Sequence, residues 1–142
     1  MQFVKRAVTT FFAASLCAAA ACGSDSPAAP TLASVAGTWN LQTVNGVSLP
    51  LVLSQTSTEK HELTALTFDA TSTGTFTETD SYRDTVNGVV STSSTGDSGT
   101  YTINGSSITF TFDSDGLSDT GTISGNTLTI ISQGIVLVLR KQ

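Results

Sequence analysis

Asn45-Gly46, Asn87-Gly88, Asn104-Gly105 and Asp115-Gly116 recur through a chain of 142 residues, each beside short runs in which apolar and hydroxyl residues alternate. Such pairs tolerate the positive φ that a tight hairpin turn requires. Gly125-Asn126 and Gln133-Gly134 extend the series. Alternating runs cut at this spacing point to an antiparallel meander. The pattern predicts strands near 36–44, 62–70, 73–83, 88–95, 98–104, 106–113, 118–124, 126–132 and 134–140. The stretch 83–98 reads either as two short strands or as one bulged strand with a loop, and 49–60 has room for one helical turn.

Composition supports strands over helices. The chain holds 25 Thr and 19 Ser but only 12% charged residues. Thr suits a pleated surface, whereas scarce Lys, Glu and Gln leave few good fillers for exposed helix positions. An echo at an offset of 20, Thr102–Phe110 against Thr122–Ile130, gives two strand–turn–strand units in series. Parity then assigns faces. Ile108, Phe110 and Phe112 share one side, Trp39 and Leu41 another, and Tyr101 goes with Ile103. One apolar and one hydroxyl face per strand marks a sheet that is wet on one side. Closing the sheet removes its edges. The expected fold is all-β, an eight-stranded antiparallel up-and-down barrel, with a β-sandwich as the alternative.

The first 35 residues read differently. Lys5 and Arg6 precede an apolar stretch from Ala7 to Ala20, too short to span a bilayer and typical of an export signal. Ala19-Ala20-Ala21-Cys22-Gly23 resembles the lipobox of bacterial lipoproteins, in which the Cys is acylated and becomes the new N-terminus. Ordinary cleavage after the same Ala-x-Ala would instead release a secreted protein. The expected division is a signal peptide at 1–21, a lipidated Cys22 with a flexible tether to 34, and a barrel domain over 35–142. Beyond Cys22 there is no cysteine, and four basic residues face eleven acids, a net charge of −7. That balance argues against a nucleic-acid partner.

Gly37-Thr38-Trp39 on the first strand and Arg140 at the end of the last are similar to a signature of the lipocalin and wider calycin families. There a Gly-x-Trp opens strand one and a basic residue from the last strand packs across the Trp. The resemblance implies that Gly37, Trp39 and Arg140 close one end of a barrel whose lumen holds a small hydrophobic ligand. The candidate lining is Leu41, Phe68, Phe76, Glu78, Asp80, Tyr82, Tyr101, Phe110 and Phe112.

The chain offers little for catalysis. His61 is the one histidine, and no Gly-x-Ser-x-Gly elbow accompanies it. The glycines fall at hairpin turns, where they build no phosphate cradle. Asp113-Ser114-Asp115-Gly116-Leu117-Ser118-Asp119 lacks the closing Glu of a calcium loop and reads as a hairpin. Glu78 and Asp80 share a strand face with Phe76 and Tyr82, so they enter the lumen or sit on a solvated overhang. The expectation is a non-enzyme without cofactor or metal, tied to a membrane by lipid. It either binds a small hydrophobic ligand or supports the cell envelope. The alternative is a protein-interaction module with a solid core.

Overall fold

A computed structural model describes residues 28–142. Cys22 and the signal segment lie outside them. A helical turn α1 (Leu32–Val35) leads into ten strands. These are β1 (Gly37–Val44), β2 (Val47–Ser48), β3 (Leu51–Gln55), β4 (Glu59–Ala70) and β5 (Thr75–Val86). β6 (Val89–Asn104), β7 (Ser107–Phe112), β8 (Ser118–Ser124), β9 (Thr127–Ser132) and β10 (Ile135–Lys141) follow. β4 to β10 run as a meander of hairpins, and β1 pairs antiparallel with both β10 and β4. Eight strands therefore close into a barrel, as the alternation predicts, while the short β2 and β3 flank the β1–β4 seam.

The turn chemistry accounts for the register. Asn45-Gly46, Asn87-Gly88 and Gln133-Gly134 each place both residues at positive φ, the geometry that two-residue hairpins need. Three expectations are corrected. Residues 83–98 form neither two short strands nor a bulged one: β5 and β6 pair through Val86↔Val89 without a register shift. No helical turn forms in 49–60, because Leu51–Gln55 instead add a strand to the edge of β4. The last residues assigned to the tether are structured, since Thr31 caps α1 and accepts the Ser34 N–H at 3.2 Å.

One end of the barrel is solid. Trp39, Phe68, Phe76, Tyr101 and Phe110 are buried there. Phe68 stacks on Phe76 with centroids 4.6 Å apart, and Phe110 meets Phe68 edge-on at 5.0 Å. Each buried aromatic contributes about 1.5–3 kcal/mol by leaving water. The packing is tight enough to demand glycine on β6 and on β8, the two strands that flank β7. A Cβ on Gly99 would lie 2.8 Å from the Phe76 ring, and one on Gly121 would lie 2.9 Å from the Phe110 ring.

Candidate functional site

α1 plugs the solid end. Val35 is fully buried, and its carbonyl accepts the Trp39 indole N–H at 2.7 Å. The Tyr101 hydroxyl donates to the Thr71 carbonyl, with the Leu32 carbonyl 3.2 Å away. The cation over the indole is Lys141, its Nζ 5.2 Å from the ring centroid and 2.9 Å from the Ser34 carbonyl. This corrects the assignment to Arg140. In the β1–β10 register Trp39 faces Lys141 while Arg140 faces Asn40, and adjacent strand residues point to opposite sides. Arg140 is exposed on the outer face. Gly37 belongs to the same closure, since a Cβ there would lie 2.8 Å from Lys141 Cε.

The other end is open, and a cavity of about 200 Å³ lies in its mouth. Leu66, Phe112, Leu117 and Leu137 form the apolar part of its lining. Glu78, Asp97, Asp115, Asp119, Ser132 and Gln133 supply the polar part, and no basic residue lines it. These groups come from strands on opposite sides of the barrel, so the cavity is the upper lumen itself. It is smaller than the roughly 300–1,000 Å³ usual for drug-sized ligands.

The structure sorts the predicted lumen residues into two sets. Leu41, Phe68, Phe76, Tyr101 and Phe110 are packed in the core and line no part of this cavity. Glu78 and Phe112 do line it. Asp80 and Tyr82 continue the inner face of β5 above it, where the Tyr82 hydroxyl donates to Asp80 Oδ2 at 3.1 Å. Asp80 Oδ1 is buried without a hydrogen-bond partner among the described residues. Glu78 and Asp80 are both part-buried. Glu78 lines the cavity, and Asp80 follows it on the same face of β5.

Burial governs the charges here. Glu78 is pushed up to about 7, first by its own desolvation and then by the carboxylates of Asp80, Asp119 and Asp97. Desolvation also raises Asp80, against the lowering effect of the Tyr82 hydroxyl. Asp97 goes the other way, held low by the Ser114 hydroxyl and the Ser98 N–H. The mouth therefore sets Glu78, raised to about 7, beside Asp97, which is held low.

Farther along β4 and β5, His61 Nδ1 lies 2.5 Å from Asp84 Oδ1, and the imidazole stacks on Tyr82 at 5.1 Å. Glu62 is buried between Lys60 Nζ at 2.6 Å and Arg83 Nη2 at 2.8 Å. Arg83 thus turns away from Glu78 and Asp80. Of the lining, only Glu78 and Phe112 were among the expected lumen residues. Sequence reading missed Leu66, Asp97, Asp115, Leu117, Asp119, Ser132, Gln133 and Leu137. Parity offered a signal for Asp97, which lies four residues before the inward Tyr101. Asp113 accepts the Ser98 hydroxyl and Asp115 accepts the Leu117 N–H, so both carboxylates help hold the β7–β8 turn.

A closed eight-stranded meander with a Gly-x-Trp on its first strand and a cation over the indole has lipocalin-type architecture. The model of the lipocalin-like domain family matches residues 35–130, and the chain belongs to that family. A crystal structure of an uncharacterized protein from Bacteroides eggerthii DSM 20697 is 14% identical, with a TM-score of 0.46, over 75% of this chain and 98% of that one. Comparison with curated proteins finds no match.

Proposed function

We propose that this lipocalin-like domain is exported, anchored by an acylated Cys22, and takes a small ligand into its open mouth. The ligand has a short apolar body and a protonated amine head. The mouth cavity carries the reading: an apolar lining of Leu66, Phe112, Leu117 and Leu137 lies beside four carboxylates with no basic counter-charge among the lining residues. A carboxylate ligand would meet repulsion and an unpaired burial penalty. An amine would relieve both and restore the charge of Glu78. A long lipid is disfavoured because aromatic rings fill the lower lumen.

Export and anchoring rest on the basic n-region, the apolar stretch and the Ala-Ala-Ala-Cys-Gly run. The chain enters the barrel at the plugged end, so a tether there leaves the mouth on the far side. Native mass spectrometry of the gently purified chain, with organic extraction, tests the ligand. A retained small amine supports the reading, and a clean mass with no uptake of short alkylamines contradicts it. Palmitate incorporation that is lost in Cys22→Ser tests the anchor; incorporation unchanged in that variant refutes it.

A further inference from the structure

β6 is longer than the strand beside it. β5 pairs with it along Val89–Thr100, whereas β7 reaches only Gly99–Asn104. The β7–β8 turn covers a little more, through an Asp113 N–H to Ser98 carbonyl bond of 2.8 Å and a Ser114 hydroxyl on Asp97. The outer edge of 89–96 faces no strand of the barrel. Its sequence is Val-Val-Ser-Thr-Ser-Ser-Thr-Gly. It has no charge, no proline and no bulge, the devices by which edge strands are usually blunted.

Two features favour a second copy of this chain on this edge. The chain beyond Cys22 is strongly acidic, and this uncharged edge lets a second acidic copy approach without like charges face to face. The segment also fits itself. A two-fold axis through Ser93, normal to the sheet, sets Val90 opposite Gly96 and Thr92 opposite Ser94 of the second copy. Every side chain keeps its face, because the offset is even. The same register sets Val89, which is 71% exposed, opposite Asp97 of the second copy, whose cavity Leu117, 53% exposed, also lines. Asp97 and Leu117 both line the mouth, so each copy would add an apolar residue to the other's rim.

We propose that the chain forms a two-fold dimer through the free edge of β6, making one continuous sheet across both barrels. The pairing stands independently of the ligand reading. A chain starting at Gly23 has no cysteine, so Ser93→Cys introduces a single thiol. Opposed Cα atoms in an antiparallel pair are about 4.5–5.5 Å apart, within the ~4.4–6.8 Å that a disulfide spans. Mild oxidation of Ser93→Cys should give a covalent dimer. Ser91→Cys, whose counterpart is Thr95, should cross-link about ten-fold less. Sedimentation of the unsubstituted chain should show concentration-dependent doubling of mass. Thr92→Lys with Ser94→Lys puts like charges opposite each other across the pair and should give a monomer with unchanged circular dichroism. A monomer at every concentration, equal cross-linking at 91 and 93, or undiminished dimerisation of the double lysine variant would overturn the proposal.

Discussion

At the scale of single residues, the solid end depends on one cation, and its identity follows from strand parity. Lys141→Ala should lower stability by about 0.5–2 kcal/mol through loss of the contact with the Trp39 ring. The same substitution should shift the Trp39 fluorescence maximum. Arg140→Ala should change stability by less than about 0.5 kcal/mol, as is usual at an exposed site. Thermal melts of the two variants distinguish them directly. The presence of a basic residue at the end of the last strand was legible in the sequence. Which of two adjacent ones meets the indole was not, because it depends on the β1–β10 register, and that pairing joins the two ends of the domain.

Glu78 makes the second residue-scale prediction. Its pKa in the folded protein, about 7, lies above its ordinary value of 4.5. The native state therefore holds its proton more tightly than the unfolded chain. Its contribution is fully present below about pH 4.5 and is lost as pH rises through about 7. Glu78→Gln should raise stability at pH 8 by up to about 3 kcal/mol, less whatever solvent screening removes. It should also flatten the melting curve between pH 5 and pH 8 relative to the parent. A parent whose melting temperature rises across that window would contradict the burial of this carboxyl.

At the scale of elements, β6 and β8 approach the aromatic cluster through glycine. Gly99→Ala or Gly121→Ala should destabilise by about 1–3 kcal/mol. For Gly121 the Phe110 ring would have to move, and for Gly99 both the Phe76 ring and the Thr111 carbonyl, which a Cβ would overlap. Gly116→Ala tests a different cause, the positive φ of an open turn at +70° with nothing near its Cβ. It should cost about 1 kcal/mol. Urea titrations rank the three. The hairpins were legible because Asn-Gly pairs carry their geometry locally, as at 45–46 and 87–88. Residues 49–60 were less so. β3 earns its strand conformation by pairing with β4, and nothing within Leu51–Gln55 alone distinguishes that from a helical turn.

At the scale of the whole molecule, the barrel is divided along its axis. The plugged half is held by aromatic packing, and the open half gathers carboxylates that are far apart in the sequence. Inward-pointing Glu78 was legible from alternation with Phe76. Asp97 meets it as its cross-strand partner in the β5–β6 hairpin. The rest of the cluster was not legible, because Asp115 and Asp119 join only when the β7–β8 turn and β8 face β5 across the lumen. The central claim is that this acidic mouth selects a small amine.

Isothermal titration of the chain from Gly23 onward with a short alkylamine, and with the carboxylate of equal length, tests that claim most directly. The amine should bind, more tightly as pH rises from 6 to 8 while Glu78 loses its proton, and binding below pH 7 should release a proton to buffer. The carboxylate should give no heat. Binding of the carboxylate in preference to the amine, or an amine affinity that falls as pH rises over that range, would contradict the account.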